Sequence, residues 1–174
     1  MKKQKSKKGL PAHWRGFSMI EVVIAVSIIT TALIASLALI TSSISSIQLN
    51  KTKIIATGLA QEGLEIVRNI RDNNWLDYKR SSINWLDGLS AGDYRVQYDS
   101  ESLLAFSPTP LKIDSNGFYK YGDSGTNTPF YRKITIQIVD ENQIKVTAVV
   151  SWTEKRRSEI VSAETRLYNW LRED

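Results

Sequence analysis

From Val22 to Asn50 the chain runs for 29 residues without a charged side chain, and Val22 to Ile40 holds nothing more polar than serine or threonine. A hydrocarbon core needs roughly 20 apolar residues in a helix to be crossed. This stretch is long enough to span. It divides the chain into an anchor-like N-terminal part and a body that follows it.

The charge is distributed unevenly about that segment. Residues 1–16 hold six Lys/Arg (Lys2, Lys3, Lys5, Lys7, Lys8 and Arg15) and no acid, while the remaining residues hold 17 Lys/Arg against 18 Asp/Glu. The net charge of +5 therefore belongs to the N-terminal tail. A generic cationic surface on the body is excluded, and with it the simplest electrostatic route to nucleic acid. An excess of Lys/Arg before a span favours a cytoplasmic N-terminus with the body on the other side.

Two simple readings fit this pattern, a cleaved secretory signal and an uncleaved signal anchor. The apolar run is longer than the core of an ordinary signal peptide, though the SSISS that follows it is small and polar. Neither reading explains Glu21, the one charge inside residues 17–50. A carboxylate within a spanning helix costs about 2.5–3.5 kcal/mol on insertion scales and usually has a partner. Nothing else in the segment carries a positive charge. A new amino terminus at Phe17 would.

Arg15-Gly16-Phe17-Ser18-Met19-Ile20-Glu21, followed by VVIAV, resembles the cleavage and methylation motif of type IV prepilins and pseudopilins. The resemblance implies a cut between Gly16 and Phe17, methylation of the new Phe17 amine, and a role for Glu21 in assembly. It implies a basic leader over 1–16 removed by prepilin peptidase and a transmembrane or filament-core helix over 17–49. It further implies an amphipathic half of the same helix over 50–72 and an extracytoplasmic β-rich domain over 73–174. The implied partners are prepilin peptidase/N-methyltransferase, other pilin or pseudopilin subunits, an inner-membrane assembly platform and membrane lipid. Nucleic acid and cofactors are not expected. Thr30 and Ala38 stand where major pilins often carry Gly and Pro, which leans toward a minor subunit.

Residues 51–72 continue as a different kind of helix. Ile55, Leu59, Gly63, Ile66 and Ile70 recur at helical spacing, and Val67 widens the stripe. Gly58 and Gly63 read either as tolerated helix glycines or as points of close packing on a sheet. Residues 73–93 read as a connecting region with turns, in which Trp75, Leu76, Trp85 and Leu86 cover an edge of the sheet or helix. An aromatic pair that contacts carbohydrate is the alternative.

Tyr94–Tyr98 and Leu103–Phe106 are the first strand candidates. Residues 107–129 are rich in Pro and Gly, with 118–121 as a short edge strand. Asp114, Asn116 and Asp123 raise calcium, but their spacing does not match an EF-hand, and DSNG and GDSG are common turn sequences. The clearest β signal is 131–152. Ile134, Ile136 and Ile138 alternate with polar residues, Asp140-Glu141-Asn142 supplies a turn, and Val146, Ala148, Val150 and Trp152 alternate again. Residues 153–159 read as a charged turn, and 160–168 as a last strand, with helix as the alternative. The cluster Lys155-Arg156-Arg157 reads as a solvated turn, with a DNA or acidic-lipid contact as the alternative.

The expected fold is α+β: a long N-terminal helix packed on an antiparallel sheet of about four strands. LAQEGLEIVRNIRD, FYRKITIQIV, VVSW and the final strand resemble minor pilins of the pilus-modification (V) type and related secretion pseudopilins. The expected function is that of a structural subunit of a type IV pilus or related filament. The alternatives are a minor pseudopilin of a type II secretion system, and a DNA- or surface-binding competence or adhesive pilin. No enzyme is expected. The chain has no cysteine and one histidine, His13. It shows no nucleophile elbow, phosphate loop or cluster of metal ligands.

Overall fold

The computed structural model describes residues 16–81, 84–154 and 156–170. The basic leader through Arg15, Lys155 of the charged turn and Leu171 lie outside them. The architecture is α+β, as the sequence implies. One helix, α1 (Met19–Ser81), is followed by β1 (Gly92–Arg95), β2 (Leu104–Ala105), β3 (Lys112–Ile113), β4 (Tyr119–Lys120), β5 (Thr126–Asn127), β6 (Tyr131–Asp140), β7 (Gln143–Glu154) and β8 (Arg157–Tyr168). The chain forms two compact units, Met1–Ile47 and Gln48–Asp174.

The described part of the first unit is the apolar start of α1. An 18-residue window there reaches a mean hydropathy of 2.6 with none of it buried. It is long and apolar enough to cross a membrane. No glycine or proline interrupts it, so nothing local breaks the ladder of backbone hydrogen bonds.

In the second unit α1 packs on the main sheet. Ala56, Leu59, Ala60, Gly63, Ile66, Val67 and Ile70 are buried, which is the stripe read from the sequence with two alanines added. Ile55 is half-buried. The packing face of the sheet supplies Ile134 and Ile136 from β6, Ile144, Val146, Ala148, Val150 and Trp152 from β7, and Leu167 from β8, all buried. The strand order is β2-β1-β6-β7-β8, and each neighbouring pair is antiparallel. The β6–β7 hairpin turns at Glu141-Asn142, where Asn142 N donates to Asp140 Oδ1 at 2.8 Å. Ile138 departs from the expected buried row. It is exposed, beside a register shift between Ile138 and Asp140.

Four expectations change. The sheet has five strands rather than about four, and β4-β3-β5 form a second, three-stranded sheet inside the turn-rich stretch. Its strands are two residues each, too short to show alternation among prolines and glycines. The strand expected over Tyr94–Tyr98 ends at Arg95, because the following backbone finds other partners. Val96 O accepts from Arg132 Nη2, and Gln97 N donates to Ser100 Oγ at 2.9 Å. The connecting region begins later than expected, since α1 continues to Ser81. Trp75 carries the packing on by one more turn, with the Arg71 guanidinium 4.4 Å from its ring centre and Trp170 edge-on at 4.6 Å. Leu76, in the same turn, is exposed rather than covering an edge. Residues 160–168 form the strand expected there, in β8, while the charged turn expected over 153–159 is shorter, since β7 runs to Glu154 and β8 begins at Arg157.

Gly63 and Gly58 separate. A β-carbon on Gly63 would stand 2.7 Å from Ile134 Cδ1 and 3.3 Å from Arg132 Cδ, whereas one on Gly58 would meet nothing within 4 Å. Close packing is the reason for Gly63. Gly58 is a tolerated helix glycine.

Candidate functional site

The residues singled out by their motif sit at the start of α1. Gly16 and Phe17 precede the helix, and Phe17 is 81% exposed. Ser18 opens the first turn, where its carbonyl accepts from Glu21 N at 3.0 Å and Val22 N at 3.2 Å. Glu21 lies in that turn, exposed. The junction is therefore reachable from solvent, and the carboxylate is one helical turn beyond it.

Ser18-Met19-Ile20-Glu21 also fits the S-x-x-E capping pattern, a signal present in the sequence that the motif reading passes over. Among the described residues neither side chain makes the reciprocal bonds of that pattern, and the Glu21 carboxylate has no ion-pair partner. A carboxylate in the first turn still gains from the positive end of the helix dipole.

Behind this turn the hydroxyls from Ser27 to Thr41 are satisfied by the helix itself. Ser27 Oγ donates to Val23 O at 2.8 Å, Thr30 Oγ1 to Val26 O at 2.9 Å, Thr31 Oγ1 to Ser27 O at 2.7 Å and Ser36 Oγ to Ala32 O at 2.8 Å. Hydroxyls bonded back to the preceding turn need no water, so they suit hydrocarbon. Ser27, Thr31, Ala32 and Ala35, together with Ile28, line one shallow face of mostly small side chains. Small residues at that spacing let a second helix approach closely.

The secondary candidates resolve differently. Asp114 Oδ1 accepts from Asn116 N at 2.8 Å and Phe118 N at 3.0 Å, and Gly117 N donates to Asp114 O at 3.1 Å. The backbone bond from Phe118, aided by that from Asn116 and by the Lys120 ammonium 3.9 Å away, holds the Asp114 carboxyl below the ordinary carboxylate value of 3.8. This is a turn lock. Among the described residues no three His, Cys, Asp or Glu are grouped as a metal site. Trp75 and Trp85 are core residues, each 6% exposed, and cannot form the carbohydrate-contacting pair. Arg156 and Arg157 are exposed at the β7–β8 turn.

Among known proteins, no family model, no curated protein and no solved structure matches the chain.

Proposed function

We propose that the chain is a minor pilin-like structural subunit, without catalysis of its own, assembled through α1 into a type IV pilus or a related secretion filament. In this reading prepilin peptidase cuts between Gly16 and Phe17 at the cytoplasmic face, and the Phe17 amine is methylated. The second unit then lies on the far side of the membrane. The amine of one subunit neutralises Glu21 of a neighbour while the apolar helices bundle.

The observation that carries the proposal is the conjunction at the start of α1. An exposed Gly16-Phe17 junction is followed after one turn by a lone carboxylate and then by an uninterrupted apolar helix whose side chains are exposed. An apolar helix of this length with no cover is unstable in water. Lipid before assembly and neighbouring helices afterwards provide that cover. The self-bonded hydroxyls and the small-residue face suit both environments.

The test is intact-mass analysis of the protein extracted from membranes of cells that hold a prepilin peptidase. The expected species begins at Phe17 and carries one methyl group. A species that keeps the leader, or begins elsewhere, overturns the proposal. Gly16→Leu is expected to leave the protein uncut in the membrane, because a bulky side chain at the junction does not fit a site that accepts glycine.

A further inference from the structure

β1 belongs to the five-stranded sheet and β3 to the three-stranded one, and a cleft of about 500 Å³ is lined by residues of both. Arg95 comes from β1 and Lys112 from β3, joined by Gln97, Thr109, Tyr121 and Asp123. Its walls are held in place. Tyr121 N donates to Gln97 Oε1 at 2.9 Å, and Tyr121 Oη donates to Arg132 O at 3.2 Å.

Among the described residues the two cations of this cleft form no ion pair, and one carboxylate, that of Asp123, shares its lining. In the same two sheets Lys120, Arg132, Lys133 and Lys145 each meet a carboxylate, of Asp114, Glu62, Asp93 and Glu164 in turn, while among the described residues Arg157 and Arg166 of β8 meet none and lie outside the cleft. Among the described residues Arg95 and Lys112 meet none. Arg95 donates through Nη1 to Thr109 Oγ1 at 3.0 Å, and its guanidinium carbon lies 5.2 Å from the centre of the Tyr121 ring. Its Nε is buried without a hydrogen-bond partner. Lys112 Nζ donates to the main-chain oxygen of Asp123 at 3.3 Å. The Asp123 carboxylate pairs with neither cation.

A guanidinium carries five donors and an ammonium three, so most of the donor capacity of this cleft is unspent. Two like charges on one cleft repel, and an anion bound there is attracted to both. A guanidinium edge matches a carboxylate or phosphate, and an ammonium serves as a mobile point charge beside it.

We propose that this cleft is a binding site for an oxyanion group, a carboxylate or a phosphate borne by a small ligand from solvent. Arg95 and Lys112 supply the charge, Thr109 positions the guanidinium, and the Tyr121 ring forms a wall. The site is independent of filament assembly, and it stands or falls separately from the processing of Gly16-Phe17.

The test is calorimetric titration of the full chain in detergent micelles at constant ionic strength. Tricarballylate probes for a carboxylate and pyrophosphate for a phosphate. At least one is expected to bind at a single site with a Kd below about 1 mM. Arg95→Gln and Lys112→Gln are each expected to weaken that binding by about tenfold or more, and Lys145→Gln, outside the cleft, to leave it unchanged. Whichever probe binds more tightly identifies the oxyanion. The proposal is overturned when neither probe binds at about 10 mM, or when Lys112→Gln binds as wild type does. Lys112→Gln decides the matter alone if Arg95→Gln does not fold, because it removes one surface hydrogen bond and leaves the sheet intact.

Discussion

Gly63 of α1 and Ile134 of β6 approach so closely that a β-carbon on the glycine would stand 2.7 Å from Ile134 Cδ1. Ile134 is fully buried, so its side chain has little room to yield. Gly63→Ala therefore sets an overpacking cost of about 1–3 kcal/mol against a gain of about 1 kcal/mol in helix propensity. The net is expected to be a loss. Gly58→Ala meets nothing and is expected to raise stability by up to about 1 kcal/mol. Denaturant unfolding followed by tryptophan fluorescence checks both. Equal effects from the two substitutions would count against the close helix–sheet contact.

Among the described residues, Arg132 is the one strongly buried charge that ties α1 to the sheet. Its Nη1 donates to Leu59 O and to Glu62 Oε1, each at 3.0 Å, and its Nη2 donates to Val96 O. Glu62 retains about a third of its side-chain exposure, so its own desolvation is limited. Glu62→Gln leaves a buried guanidinium without its counter-charge and is expected to cost about 1–3 kcal/mol. Replacing both partners, as in Arg132→Met with Glu62→Leu, is expected to recover much of that loss, because no buried charge remains. A double-mutant cycle on unfolding free energies measures the coupling. Additive losses would mean that the pair does not act as a unit.

The Asp114 turn is expected to loosen in acid. Its carboxyl is held below 3.8 in the folded chain, so the turn's contribution is present above 3.8 and is lost as pH falls through the lower folded value. The protection of the Asn116 and Phe118 amides, the two donors, taken as exchange relative to the intrinsic rate at each pH, is expected to fall over that window. Asp114→Asn is expected to remove the pH dependence of that protection. Exchange that is the same in both proteins across this range would show that the carboxylate does not hold the turn.

The β6–β7 hairpin was readable because long strands with one buried face write period-two alternation into the chain, as Ile134, Ile136, Val146, Ala148 and Val150 do. The helix stripe was readable for the same reason at a period of 3.6. The small sheet was not, because pairs such as Lys112-Ile113 and Thr126-Asn127 are too short for any period. Arg132 was also hidden. It stands in a strand between Tyr131 and Lys133 and looks like one more polar position, and its burial depends on carbonyls 73 and 36 residues away. The expectation for the start of α1 rests on another kind of signal. Its signal is a local motif on consecutive residues, which needs no tertiary partner to be recognised. The cleft of Arg95 and Lys112 left no such trace, since those residues meet only when the two sheets do.

Glu21 separates a local role from an intermolecular one. Its local role is to sit in the first turn of α1, where a negative charge at the positive end of the helix gains about 0.3–1 kcal/mol. Its proposed role is to pair with the Phe17 amine of a neighbouring subunit, and a charge pair in low dielectric is worth several times one in water. Glu21→Val removes both roles, while Glu21→Gln keeps the hydrogen-bonding side chain and removes only the charge. Either substitution makes insertion easier, the valine by about 2.5–3.5 kcal/mol on the insertion scale. Both variants are therefore expected to reach the membrane, and both to be cut, because Gly16 and Phe17 are untouched. Both are expected to be depleted from filaments sheared off cells and compared with wild type by quantitative mass spectrometry. If Glu21→Gln enters filaments as wild type does, the charge is not what assembly reads, and neither the pairing nor the helix-dipole gain is needed for it.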